Sequence, residues 1–390
     1  MRIMTVYGTR PEAIKVAPLV TRIAEDPDLE SVVVSTGQHR EMLDQVNALF
    51  GITPDHDMNI MTAGQGLNGI IARVVGGLDS ILQLRDPDIV LVQGDTSTVM
   101  GAALAAFNRK TPVVHLEAGL RSGNIQSPFP EEANRQLTTR LAALHLAPTA
   151  TSQGNLLREG VQSQNIVVTG NSVIDALMHV TRHADVHFTD ERLAPLRKGG
   201  EDKRGRILLV TAHRRENLGD AMQRIGGAVA DLARKYPDLS VVFPMHKNPR
   251  VRDAIRPALD GLENVVLTEP LSYAEFTHVL RMADLVLTDS GGIQEEAPSL
   301  GKPVLVMRPN TERPEAVVAG TVKLVGTDRR RLVDEVSLLL DSQEAYTAMA
   351  NAVNPYGDGR AAERAVEAIR WRFDGGARPD DFAPEDFPRE

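Results

Sequence analysis

A strand-then-helix rhythm runs along almost the whole of this chain and occurs in two successive series. In the first, short runs at Ile3 to Tyr7, Ser31 to Ser35, Ile89 to Val92, Val113 to Leu116, Leu144 to Ala147 and Ile166 to Val168 have the length and β-branched content of strands. Helical patterns such as Ala13 to Ala24 and Leu67 to Leu84 separate them. The second runs through Ile207 to Thr211, Val241 to Pro244, Val265 to Leu267, Leu285 to Thr288, Val304 to Met307 and Val322 to Leu324. Strands alternating with helices predict an α/β fold with parallel sheets. At 390 residues the chain exceeds what one hydrophobic core organises, so two domains are expected. The charged, glycine-containing stretch Asp190 to Gly205 lies between them, with the helical pattern Val173 to Ala184 as the hinge. The Pro-, Asp-, Glu- and Gly-rich stretch 374–390 reads as a disordered acidic tail.

Composition closes off several classes of function. With no cysteine there is neither a disulfide framework nor a thiolate nucleophile, which fits a reducing compartment. A net charge of -9 argues against a sequence-independent nucleic-acid binder. Met1 to Val6 already reads as a strand, leaving no room for a signal peptide, and no apolar run approaches the roughly 18 residues of a bilayer span. The expectation is a cytoplasmic protein with no membrane contact.

In an open parallel sheet, ligands sit outside the carboxyl ends of the strands, so the residues that follow each strand carry the chemistry. The strand at Leu285 to Thr288 runs into Asp289-Ser290-Gly291-Gly292 and then a helix pattern. Two glycines ahead of a helix N-terminus make a diphosphate cradle, because the backbone approaches the anion closely and the first amides point at it. Arg313, after the next strand, supplies a second anion-binding group. The first strand delivers Gly8-Thr9-Arg10-Pro11-Glu12 and then Lys15, Ile89 to Val92 delivers Gln93-Gly94-Asp95-Thr96, and Val113 to Leu116 delivers Glu117 to Arg121. Ile207 to Thr211 opens onto His213-Arg214-Arg215-Glu216-Asn217, and Val241 to Pro244 ends near His246. Each has a plainer role open to it: Asp95 as a helix cap, Glu117 as a partner of Arg121, His213 as an ordinary surface or core histidine. Together they describe a polar crevice between two domains. No metal-binding pair of acids flanks the glycine loop, so Arg10, Lys15 and Arg313 would neutralise phosphate, and no metal or cofactor is expected. Asp95, Glu117, Glu131 and His213 are then available for proton transfer. The prolines on either side of Phe129 stiffen the approach to Glu131, while Glu132 reads as the acidic first turn of a helix Glu131 to Leu144.

These strings, with Pro130-Glu131-Glu132-Ala133-Asn134-Arg135, Thr169-Gly170-Asn171, Thr311 to Glu315 and Asn354 to Gly359, resemble the non-hydrolysing UDP-N-acetylglucosamine 2-epimerases over residues 1–372. The resemblance implies two Rossmann-like, doubly wound domains of the glycosyltransferase-B kind, with the active site in the interdomain cleft. They would span 1–172 and 173–360, the helix 361–373 completing the first, in a homodimer. It further implies reversible conversion of UDP-GlcNAc to UDP-ManNAc, by anti elimination of UDP to 2-acetamidoglucal and re-addition, in polysaccharide or aminosugar biosynthesis. Arg10, His213, Ser290, Gly291, Gly292, Glu296 and Arg313 would hold UDP, with Phe276 against uracil and Lys15 near the phosphates. Asp95, Glu117, Glu131 and His213 match the family's acid/base group. A second UDP-GlcNAc, an activator, would meet Gln38, Glu131, Arg214 and His246, but Glu41 stands where glutamine is expected and Gly64 where arginine is, so weak activation is expected. Leu271 replaces a side chain that is often polar. A hydrolysing epimerase, a UDP-sugar glycosyltransferase and a silent nucleotide-sugar sensor are the competing readings.

Overall fold

The computed structural model of the chain describes residues 1–37, 40–62, 64–184, 186–196 and 205–384, with the backbone alone at 40–42 and 215. It divides into two units, Met1–Met178 with Tyr356–Glu390, and His179–Pro355. The division thus falls inside the helix Ser172–His183 rather than ahead of it, and again just before Tyr356.

Unit 1 holds β1 (Arg2–Tyr7), β2 (Glu30–Ser35), β3 (His56–Asp57), β4 (Ile89–Gln93), β5 (Val113–Leu116), β6 (Leu144–Ala147) and β7 (Ile166–Val168), in the order β3-β2-β1-β4-β5-β6-β7. Every pairing is parallel, for example Met4↔Val32 and Met4↔Val90. Unit 2 repeats the winding with β8 (Ile207–Thr211), β9 (Ser240–Pro244), β10 (Val265–Thr268), β11 (Leu285–Thr288), β12 (Val304–Val306) and β13 (Val322–Leu324), ordered β10-β9-β8-β11-β12-β13. Helices cover both faces, which is why strands such as Ile89–Val92 and Leu208–Val210 are wholly buried and apolar from end to end. The chain reverses direction across each sheet between β1 and β4, and between β8 and β11. In open sheets of this kind ligands bind at such switch points.

Four expectations change. The two-residue β3 has no apolar signature, and pairing with Val34 and Ser35 alone makes it a strand. The helix from Glu131 stops at Leu141, because Leu144 is needed to start β6. Leu67–Arg85 is long and apolar enough, by length and composition only, to cross a membrane. Here it buries Ile70, Val74, Leu78 and Leu82 against the helix Ser97–Asn108 and carries an Asp79–Arg109 ion pair of 2.5 Å. The expected disordered tail is corrected as far as residue 384. Phe382 is buried, its amide donates to the Val168 carbonyl at 2.7 Å, and Asp381 accepts from the Val168 amide at 2.8 Å. Residues 385–390 lie outside the described residues. The helix Ala361–Phe373 belongs to unit 1, where it packs on Arg10–Glu25 and its first amides, at Ala361 and Ala362, are capped by Asp175.

Candidate functional site

At the unit 1 switch point, β1 ends at Tyr7 and the chain turns through Gly8. A Cβ there would lie 2.1 Å from the Thr36 hydroxyl oxygen and 2.7 Å from that of Thr98, so only glycine fits. Thr9 and Glu12 form a capping box for the helix that begins at Arg10. Glu12 does more than cap. Its buried carboxylate accepts from the Gly8 and Thr9 amides at 2.8 and 2.7 Å and from the Thr96 hydroxyl at 2.5 Å, joining the loop after β1 to the loop after β4. Burial pushes the Glu12 carboxyl up. Arg10 itself is exposed.

Two of the three expected carboxylates, Asp95 and Glu117, lie at the ends of β4 and β5, and the third, Glu131, opens a helix. Asp95 is held by Arg135, at 2.9 Å from Nε and 2.6 Å from Nη2, while Asn134 donates to its carbonyl at 2.9 Å. It does not cap the following helix, a task performed by Thr96. Nor is Glu117 paired with Arg121, whose partner is Glu159 at 2.6 Å. Glu117 sits in the left-handed region at φ 63°. A conformation that costs a non-glycine residue about 1–3 kcal/mol persists only where the surroundings enforce it. Lys15, Gln93 and Asn171 enforce it: all three donate to the Glu117 carboxylate, Asn171 at 3.0 Å. One Glu117 oxygen lies 3.7 Å from where a Cβ on Gly94 would stand, which puts it beside Asp95. Lys15 is thereby engaged at the carboxylates instead of standing free for phosphate. Glu131, half-buried, opens its helix two residues after the exposed Phe129, and its carboxylate has no hydrogen bond among the described residues. Glu132 is no surface helix-dipole residue: fully buried, it accepts from the Ser122 amide and from Arg135, both at 3.0 Å.

At the unit 2 switch point, Asp289 organises the backbone. Completely buried after β11, it accepts from the His213 and Arg214 amides at 3.0 and 2.9 Å and from the Asn217 side chain at 3.0 Å. His213 Nδ1 is 3.3 Å from the same carboxylate, and its ring stacks on His246 with centroids 5.9 Å apart. Burial lowers the His213 pKa against the pull of Asp289 and so favours the neutral imidazole. Beyond Ser290 the helix is shorter than expected. One turn, Ile293–Glu296, passes into a 3₁₀ turn, Pro298–Leu300, because Pro298 has no amide to continue it. The Gln294 and Glu295 amides bond back to the Gly291 and Gly292 carbonyls and the Ser290 amide to the Thr288 hydroxyl, which leaves the Gly291, Gly292 and Ile293 amides as those with no partner among the described residues.

Gly291 has a second reason to be glycine. A Cβ there would come within 2.6 Å of Arg313 Nη1, so its absence lets the guanidinium lie against the loop. Arg313 bonds Glu295 at 2.5 Å and Glu312 at 2.8 Å. Burial alone would raise the Glu312 carboxyl, but Arg313 and Arg308 outweigh it and hold it at about 2. Arg214 stands 3.6 Å from Glu312. Glu296, also buried, accepts from the Tyr273 hydroxyl at 3.2 Å on the helix Tyr273–Met282 that carries Phe276. The result is a polar loop that combines those amides with fixed cations, suited to a diphosphate.

Of the expected effector residues, Gln38 lies outside the described residues, as does the side chain of Glu41. Gly64, at φ 71°, faces open space. Arg73 reaches the loop instead, donating to the Ile60 carbonyl at 3.4 Å and to Thr62 and Gln65. Arg214 donates to the Asp289 carbonyl at 3.3 Å, and His246 accepts from the Asn248 amide at 3.1 Å.

Sequence reasoning quoted Gln93, Arg135, Asn171, Asn217 and Glu312 within its strand-end and family strings without giving them a role, and missed Tyr273 altogether. Gln93 and Asn171 do follow strands, a signal open to reading. Tyr273 has none beyond the capping box of Ser272 that starts its helix.

Comparison with known proteins agrees with this geometry. A family profile described as UDP-N-acetylglucosamine 2-epimerase matches residues 21–370. The chain is 53% identical over 372 residues to the UDP-N-acetylglucosamine 2-epimerase of Escherichia coli, covering 95% of this chain and 98% of that protein. Two crystal structures are similar throughout. One is an epimerase of this description from Listeria monocytogenes, with TM-score 0.91, 46% identity and coverage of 98% and 99%. The other is the Neisseria meningitidis UDP-GlcNAc 2-epimerase bound to UDP-GlcNAc, with TM-score 0.86, 47% identity and coverage of 95% and 99%. A glycosyltransferase only 12% identical, with TM-score 0.62, shares the fold alone, which is the glycosyltransferase-B-like pairing of two doubly wound units. With most of its length matched by the profile and half its residues shared with curated members, this chain belongs to the UDP-N-acetylglucosamine 2-epimerase family.

Proposed function

We propose that the chain interconverts UDP-GlcNAc and UDP-ManNAc without net hydrolysis. A carboxylate removes the C2 proton, the C2–H electrons form the C1=C2 bond, and the C1–O bond breaks with UDP as leaving group. The 2-acetamidoglucal so formed takes UDP back at C1 while C2 is protonated from the opposite face. The C2 hydrogen has no adjacent carbonyl and is barely acidic, so base and leaving-group stabilisation must act together. Unit 1 supplies the acids and bases Asp95, Glu117 and Glu131. Unit 2 supplies the diphosphate loop, Arg313 and His213, with Glu296 and Phe276 for the nucleoside. One observation carries the reading: Glu117 is held in a left-handed backbone by Lys15, Gln93 and Asn171 beside Asp95, a costly arrangement that helix capping or surface solvation does not call for. Incubation with UDP-GlcNAc in heavy water, followed by proton NMR, tests it. UDP-ManNAc carrying deuterium at C2 is expected; free ManNAc accumulating with UDP would instead assign the hydrolysing reaction, and no turnover without an acceptor the transferase.

We further propose a homodimer. The helix Leu67–Arg85 supports this reading, since its apolar residues include the exposed Leu67 and Leu84. Light scattering should give twice the 42.4 kDa of one chain.

A further inference from the structure

We infer that the C-terminal segment 376–384 is a positioning strap for Glu117, acting through the turn Thr169-Gly170-Asn171. The inference rests on the proposed role of Glu117 in proton transfer. β7 is the last strand of its sheet, and the strap follows its outer edge. Arg378 donates to the Ile166 carbonyl at 3.3 Å, Asp381 Oδ1 accepts from the Val168 amide at 2.8 Å, and the Phe382 amide donates to the Val168 carbonyl at 2.7 Å. The strap therefore satisfies both backbone groups of Val168, the residue directly before the turn.

Phe382 then closes over the turn itself. Its ring lies 3.6 Å from where a Cβ on Gly170 would stand, an ordinary packing distance, and that glycine is at φ 84°, where a side chain is strained. The Arg364 guanidinium stacks on the Phe382 ring at 5.3 Å, donates to the Thr169 carbonyl at 3.3 Å and is bound by Asp358 at 2.8 Å. On the far side of Gly170 the Asn171 amide donates to the Tyr356 carbonyl at 2.7 Å, and the Asn171 side chain reaches Glu117 at 3.0 Å. An aromatic plug, a charged stack and an edge-strand pairing thus converge on three residues, the last of which holds the carboxylate. Without the strap, the edge amide of Val168 would face water and the turn would be free to shift. Small displacements of a reacting group cost rate out of proportion to their size, up to about 100-fold for about 1 Å. Binding of the nucleotide, whose proposed contacts other than Arg10 are on unit 2, would be spared.

The test uses the full chain with Phe382→Ala, Asp381→Ala and Asp381→Asn. Phe382→Ala and Asp381→Ala are expected to lower kcat by about 10- to 100-fold with KM for UDP-GlcNAc within about twofold, while Asp381→Asn, whose side-chain oxygen still accepts, keeps the parent rate. A parallel loss of kcat and folded fraction, a KM that rises as kcat falls, or unchanged kcat in both alanine variants would overturn the inference. Amide hydrogen exchange, measured without substrate, gives a readout independent of turnover. Exchange at Asn171 should quicken in both alanine variants and not in Asp381→Asn, and unchanged exchange overturns the strap even if the parent chain proves to have another activity. Failure of the parent chain to convert UDP-GlcNAc, with Asn171 exchange still dependent on the strap, would overturn the functional reading alone.

Discussion

A carboxylate that removes the C2 proton in one direction of a reversible epimerisation, and returns it in the other, must keep its position while its charge changes. The setting of Glu117 meets that demand of its proposed role, since Lys15, Gln93 and Asn171 approach it from separate elements and the backbone strain is borne by all three. Replacing Asp95, Glu117 or Glu131 by the corresponding amide should slow turnover by about 10²–10⁴ with the fold intact, as single-turnover rates and circular dichroism would record. Near-parental rates in all three would show that the proton-transfer roles are misassigned. Arg313→Ala should mainly weaken UDP binding, by about 1.5–3 kcal/mol in calorimetry, because a phosphate contact is made in ground and transition states alike. The same change removes a partner of the buried Glu295 and should lower Tm too, so affinity is to be read on the folded fraction. Asp95 and Glu117 could be singled out in the sequence because strand ends announce them, and Glu131 by the prolines before it. Their holders could not, because neutral amides and arginines are common everywhere and their partners lie 24, 40 and 54 residues away along the chain.

The elements that carry the site also set its response to acid. His115 and His145 face each other on β5 and β6, and burial lowers them to about 4 and about 3. His115 donates to the Gly94 carbonyl at 2.7 Å, directly before Asp95. Below pH ~6.5 the unfolded histidines take up protons that the folded ones refuse until their lower pKa values, so their contribution is complete above pH ~6.5 and is lost as the pH falls. Asp175 opposes them. Burial raises it to about 7, so its contribution is complete below pH ~3.8 and is lost as the pH rises through 7. Glu12, likewise raised by burial, opposes the histidines in the same window between about pH 6 and 4.5. Urea titrations followed at Trp371, the one tryptophan and a member of the helix Asp175 caps, should show stability falling more steeply on acidification in Asp175→Asn than in the parent chain. A slope unchanged by Asp175→Asn would refute the opposition. At this scale the sequence was most readable where strands are apolar throughout. It was least readable at β3, where pairing alone makes the strand, and at Ile293–Glu296, where a proline cuts the helix to one turn.

For the molecule as a whole, the repeated strand order could be foreseen from the two series of strands, but the path of the last residues could not. Acidic, proline-rich composition normally signals disorder, and a single aromatic docking beside Gly170 reverses that signal. Kinetic behaviour tests another departure. Arg73 brings a cation to the loop where Gly64 lacks one, its Nη1 donating to Ile60, Thr62 and Gln65, and the sequence carries Glu41 where the resemblance leads one to expect glutamine. Activation by a second UDP-GlcNAc should therefore be weak, with hyperbolic initial rates and no lag when UDP-ManNAc is the sole substrate. A strict need for added UDP-GlcNAc in that direction would contradict it.

Unit 1 is discontinuous in sequence, and this orders events on the ribosome. All seven of its strands are translated before unit 2 begins, yet the helix Ala361–Phe373 and the residues that line β7 arrive only after all of unit 2. At about 5–20 residues per second that interval is on the order of ten to forty seconds, during which a parallel sheet waits with an open edge and one flank of Arg10–Glu25 bare. The continuous unit 2 has no such delay and can be complete first. The vulnerable species in biosynthesis is thus the half emerged first, and its window of exposure is set by the translation speed of the half that follows.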